Sequence, residues 1–228
     1  MKKSLVTLVV VLIASINISA FEINTDDSVM NQLANDATSS STSVFLEAVT
    51  EETGYVESMF GVHIANGDSE NPILLGEETV GMMTKENRPI FTFDTSGIPA
   101  TANINYVLLW VGVDVGESSY SYLFENVAVD FAGPVGFGGS FTMTSMDYYS
   151  YGMGSFDTVI GNAAVGGLML NLDINQNLRN LNPYINRLGK TQIRLRFKNN
   201  PDNVLMKLYG ASLPYPVEQK AILYVGWE

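Results

Sequence analysis

Thr191-Gln192-Ile193-Arg194-Leu195-Arg196-Phe197-Lys198 decides the class of this fold. Its apolar residues recur at every second position, so an extended backbone places Ile193, Leu195 and Phe197 on one face and Arg194, Arg196 and Lys198 on the other. The spacing predicts a half-buried strand with a basic outer face.

Outward from it, stretches rich in Val, Ile, Tyr and Phe predict further strands at 44–49, 55–64, 90–94, 105–113, 122–131, 167–174, 204–209 and 221–227. Turn chemistry separates them at Asn66-Gly67-Asp68, Ser96-Gly97-Ile98-Pro99, Asn199-Asn200-Pro201-Asp202 and Leu213-Pro214-Tyr215-Pro216. Residues 175–188 predict one short late helix, with Leu178, Leu181, Ile185 and Leu188 at steps of three and four and Gly189 as its stop; Pro183 suits only its first turn. Nine short strands and one helix predict an all-β fold: a two-sheet antiparallel β-sandwich of jelly-roll topology.

The first twenty residues read as a signal peptide, with Lys2 and Lys3, an apolar run from Leu5 to Ile13, and small residues ending at Ala20. Residues 21–43 are polar and acidic, with too few large apolar side chains to offset the entropy of ordering, and read as a flexible lead-in to a sandwich domain at 44–228. The expected localisation is secreted, extracellular or cell-surface, with the periplasm as the other exported compartment. No later run approaches the roughly 20 apolar residues of a membrane helix. The chain has no cysteine, so packing alone must hold the fold.

The 228 residues carry 12 basic and 24 acidic side chains, a net charge of −12. That acidity argues against nucleic acid as a partner, because phosphate binding needs a basic footprint. The charges are segregated. Between 21 and 178 the only basic residues are Lys85 and Arg88, whereas eight of the chain's basic residues lie from Arg179 onward.

Several segments resemble, in order, the secreted jelly-roll modules called DNRLRE or disaggregatase-related domains, which are grouped with carbohydrate-binding modules. The most distinctive is Arg88-Pro-Ile-Phe-Thr-Phe-Asp-Thr-Ser-Gly-Ile-Pro99: an arginine, an apolar strand ending in Phe-Asp, and a Ser-x-Ile-Pro turn. Glu51 to Val56, Ile104 to Val111, Gly189 to Phe197 and Ala221 to Trp227 match the remaining strands. The chain departs from the pattern at Tyr209-Gly-Ala-Ser212, where the family carries an acidic residue. The resemblance implies a β-sandwich that binds extracellular polysaccharide or cell-surface glycan.

Asp147-Tyr148-Tyr149-Ser150-Tyr151-Gly152-Met153-Gly154 is the candidate ligand surface, since tyrosine rings pack on the C–H faces of sugars while hydroxyls orient them. Tyr148, Tyr149 and Tyr151 are its candidate contacts, with Arg194 and Arg196 as a basic site for acidic groups. No cofactor is expected: the oxygen-rich run from Asn66 to Asn71 reads first as a solvated acidic loop and second as a structural calcium site with Asp68 and Glu70 as candidate ligands, an ion that takes six to eight oxygens and would need other loops to contribute. Arg88 and Asp94 flank a strand and suit the fastening of turns, Trp110 reads as core, and His63, the single histidine, reads as a strand residue. Without a cysteine or a second histidine, no nucleophile or zinc motif presents itself, and a non-catalytic protein is expected. A structural subunit that self-associates through its segregated charges is the second reading. A polysaccharide lyase or hydrolase using carboxylates or a Tyr and Arg pair is the third.

Overall fold

A computed structural model of the chain describes residues 42–67, 72–113, 127–157, 159–161, 169–173, 180–198, 204–210 and 221–228. Among them the chain forms two antiparallel sheets packed face to face, as the alternating pattern predicts. The first sheet orders β1 (Thr42–Glu47), β13 (Ile222–Trp227), β6 (Ile104–Gly112), β10 (Met169–Asp173) and β9 (Val159–Gly161). The second contains β12 (Leu205–Leu208), β4 (Ile73–Val80), β5 (Met83–Asp94), β11 (Lys190–Phe197), β7 (Val127–Phe131) and β8 (Gly154–Asp157). A hairpin of β2 (Gly54–Met59) and β3 (Val62–Gly67) joins the second sheet through β5.

β5 is the hub of that second sheet. Successive parts of its length pair with β4 from Val80↔Met83 to Gly76↔Asn87, with β2 from Ser58↔Glu86 to Gly54↔Ile90, and with β11 from Arg194↔Ile90 to Lys190↔Asp94. The register settles the faces. Phe91 and Phe93 of β5, Ile193, Leu195 and Phe197 of β11, and Val127, Val129 and Phe131 of β7 meet Val107, Leu109 and Val111 of β6 and Leu223 and Val225 of β13 in the main core. Burial of each such side chain contributes roughly 1.5–3 kcal/mol relative to exposure, and no disulfide is needed.

Several expectations change in detail. The run 55–64 is two strands, because Phe60 (φ 52°) and Gly61 (φ 77°) both take left-handed backbone and close a two-residue turn. β1 starts at Thr42, two residues ahead of the expected boundary. No α-helix forms at 180–188. There Asn180 Oδ1 accepts the Asn182 N–H (3.0 Å), Leu181 O accepts the Tyr184 N–H (3.0 Å), and Asn186 O accepts the Gly189 N–H (3.2 Å). These local bonds, with Pro183, favour consecutive turns over a helix, while Leu181 and Ile185 still reach the core. Trp110 is buried, but it lies on the outer face of the first sheet in a second apolar layer with Leu108, Ile222 and Tyr224. Phe45 stacks on it with ring centroids 5.7 Å apart.

Candidate functional site

The outer face of the second sheet carries the chemistry. Alternation brings Glu86, Arg88, Ile90 and Thr92 of β5, Gln192, Arg194 and Arg196 of β11, and Asp130 of β7 to the side facing away from the main core. That face is not open. The connection 132–153, which includes short 3-10 turns at Phe137–Gly139 and Ser145–Tyr148, lies over it as a roof. Val56, Ile90, Ala132, Phe137 and Tyr148 form a small apolar core beneath the roof.

Three polar side chains fasten the roof to the sheet. Gln192 accepts the Phe137 N–H at Oε1 (2.9 Å), and its amide donates to Thr92 Oγ1 (3.0 Å) and Phe141 O (3.1 Å). Arg194 donates from Nε and Nη2 to Asp130 Oδ2 (3.0 and 2.8 Å) and from Nη1 to the carbonyls of Asp147 and Tyr148, with its guanidinium 4.6 Å from the Phe137 ring centroid. Arg88 donates to Glu86 Oε1 (2.8 Å) and to Tyr148 O (2.9 Å), and it stacks 3.9 Å from the Tyr148 ring centroid. Charge-assisted bonds of this kind are the strong class, and here they are withdrawn from water.

The roof is also braced internally. Asp147 accepts the Thr144 N–H (2.7 Å) and hydroxyl (3.3 Å), while Gly138, at φ 62°, approaches the same carboxylate so closely that a Cβ there would lie 2.5 Å from Oδ1. Burial raises the Asp147 carboxyl above its ordinary value despite the Thr144 bonds and the nearby Arg194. Asp130 moves the other way. Burial alone would raise it, but the Ser155 hydroxyl and the Arg194 and Arg196 guanidiniums together hold it below the usual carboxylate range. Burial, then the hydrogen bond the hydroxyl donates to Glu86, push Tyr148 up to about 12.

These placements divide the candidate residues. Tyr148 is only 6% exposed and its hydroxyl is committed to Glu86, so it is a roof bolt rather than a ligand contact. Arg194 is 5% exposed and likewise structural; the basic outer face of β11 is covered, because the roof supplies two carbonyls and Asp130 a charge to compensate the guanidinium. Arg196 is partly buried, sharing Asp130 Oδ2 (3.2 Å) and donating to Ser155 Oγ (2.6 Å). Tyr149 and Tyr151 are different: 62% and 98% exposed, they stand on the roof's outer surface with Met146 and Met153, which are also exposed.

His63 of β3 lies against this edge of the roof, stacked on Tyr148 (ring centroids 4.7 Å) and edge-on to Tyr149 (4.5 Å). Neither of its ring nitrogens has a hydrogen-bond partner among the described residues. Arg88 and Asp94 both fasten backbone or turns, Asp94 by accepting the Ser96 N–H (3.1 Å) and hydroxyl (2.6 Å). Asp68 and Glu70 lie outside the described residues. Among the described residues no group of three or more His, Cys, Asp or Glu side chains is placed to hold a metal ion, and no helix is long and apolar enough to cross a membrane.

Sequence alone does not mark Gln192, Asp130 or Glu86 as site residues, and it marks Asp147 only as part of the tyrosine stretch. Each looks like a solvated polar residue in its own segment, and only the return of 132–153 over the sheet converts them into buried partners. The one available signal was the apolar pair Phe137 and Phe141 in a glycine-rich connection, which needs something to cover. No family model matches the chain, and no curated protein matches it.

Proposed function

We propose that the protein is an exported, non-catalytic binding module that recognises an extracellular or cell-wall polysaccharide through Tyr149 and Tyr151. The observation that supports this reading is the contrast within one four-residue stretch. Tyr148 is buried and bolted by Arg88, Arg194 and Glu86, whereas Tyr149 and Tyr151, one and three residues later, present their rings to solvent. Aromatic rings displayed from a braced segment lose little entropy on binding, which is what stacking on sugar faces requires. Methionines 146 and 153 widen the apolar surface beside them. The resemblance of Arg88 to Pro99 to the disaggregatase-related modules points the same way.

Retention on insoluble polysaccharides, followed by titration of soluble oligosaccharides from the best binder, tests the reading. The parent is expected to bind, and Tyr149→Ala and Tyr151→Ala to weaken binding about tenfold or more each, with the unfolding midpoint unchanged in Tyr151→Ala and only slightly lowered in Tyr149→Ala, whose ring also meets His63 and Tyr148 edge-on. A panel on which nothing binds, or on which both variants match the parent, overturns it.

A further inference from the structure

Among the described residues β3 pairs with β2 alone, so its other edge faces away from the sheet. The two-residue turn at Phe60-Gly61 makes Met59↔Val62, Glu57↔Ile64 and Tyr55↔Asn66 the pairs that exchange backbone hydrogen bonds with β2. His63, Ala65 and Gly67 therefore direct their N–H and C=O groups to the open side. The side chains alternate as well. His63 and Ala65 face the roof, and Val62 and Ile64 lie on the opposite face, 59% and 46% exposed.

Proteins blunt such edges with charges, prolines, bulges or covering loops. β3, Val62-His-Ile-Ala-Asn-Gly67, contains no charged residue or proline, and its register with β2 is unbroken. The adjoining turn adds apolar surface. Phe60 is 76% exposed in a left-handed conformation uncommon for a bulky residue, and Val80 and Met82 are exposed at the neighbouring β4–β5 turn.

We propose that β3 is a self-association edge, at which two copies of the chain pair their β3 strands antiparallel about a two-fold axis and continue the sheet from one molecule into the next. A second copy is the occupant because the edge is complementary to itself. An isologous antiparallel pairing offers the outward groups of His63 and Ala65 the same groups from the mate, and with His63 opposite Ala65 it sets Ile64 against Ile64 of the second copy. The strand's neutrality matters in a chain of net charge −12, since it lets two acidic molecules meet without like charges opposed across the new ladder.

Sedimentation velocity over a concentration series on the chain from Phe21 onward tests the proposal. The parent is expected to dimerise, Ile64→Lys to remain monomeric with an unchanged unfolding midpoint, and Leu188→Lys, at an exposed position beyond the opposite end of β5, to dimerise like the parent. A parent that stays monomeric at every concentration overturns the proposal. So does an Ile64→Lys protein that dimerises as strongly as the parent.

Discussion

Replacing Arg194 by alanine tests whether the roof is held by its polar bolts. The side chain donates two hydrogen bonds to Asp130 and further bonds to the carbonyls of Asp147 and Tyr148, all at a residue 5% exposed. Its removal leaves Asp130, itself 2% exposed, with the Arg196 guanidinium at 3.2 Å as its remaining ion pair. Breaking a buried pair from one side costs about 3–5 kcal/mol, because the surviving charge is left in a poorly solvating site. At about 2–4 °C per kcal/mol for a domain of this size, the midpoint should fall by about 6–20 °C. Urea unfolding followed by tryptophan fluorescence gives the free energy, and an unchanged slope would show that the native and denatured states keep their compactness. A double-mutant cycle adds the decisive comparison. Arg194→Met with Asp130→Leu removes both charges and should be less destabilised than Arg194→Met alone. A loss below about 1 kcal/mol in Arg194→Ala, or additivity in the cycle, refutes the polar-bolt account.

Three further perturbations address other parts of the site. Gly138→Ala should lose about 1–3 kcal/mol, since it meets both a left-handed backbone and the Asp147 carboxylate, whereas Gly139→Ala, at φ 86° but with open space, should lose only the backbone share; urea midpoints separate the two. Tyr148→Phe should remove a phenol that titrates near 12, read as the loss of one high-pH step in tyrosinate absorbance. Because the folded state keeps that proton longer than the unfolded chain, the parent should lose stability as pH rises from about 10 towards 12, and the variant should lose less, keeping only the share of groups such as Tyr55, which burial also raises. Phe60→Asn should gain up to about 1 kcal/mol by relieving a left-handed aromatic residue, measured by the same urea midpoint; a loss would mean that Phe60 packs more than its exposure suggests.

The sheets were legible in the sequence wherever one strand face is buried and the other polar, as in β11, because a period of two leaves a direct trace. They were not legible where burial is lopsided. β4 carries Glu77-Glu78-Thr79 in its second half, and Phe60 hides a turn that usually advertises itself with asparagine and glycine. The residues 180–188 misled because their leucine spacing satisfies a helix while their asparagines satisfy turns. The tyrosine cluster was visible as a cluster, but its division into one buried and two exposed rings was not. That division follows from the 3-10 turn at Ser145–Tyr148, which carries the Tyr148 ring under the roof while the residues after it leave Tyr149 and Tyr151 outside.

An apolar roof would cover the sheet equally well, and the reason for a polar one lies in what must be held still. Apolar contacts are non-directional and tolerate sliding, whereas Arg88, Gln192 and Arg194 each make several directional bonds and together fix the roof in position and rotation. The arrangement makes display of Tyr149 and Tyr151 sensitive to acid in a way that can be assigned. Asp130 is depressed in the folded state, so its contribution is complete above the ordinary carboxylate value and is lost as pH falls through its lower folded value. Asp147 is raised, so its buried charge is unfavourable at neutral pH and is relieved on the way down, before Asp130 is protonated. Relative to the parent, Asp130→Asn should therefore be most destabilised at neutral pH and converge with it in strong acid, while the stability of Asp147→Asn relative to the parent should fall as pH is lowered through the carboxylate range. Paired urea titrations across pH measure both differences. Parallel profiles for the two variants would show that these carboxylates do not hold the roof through their charges.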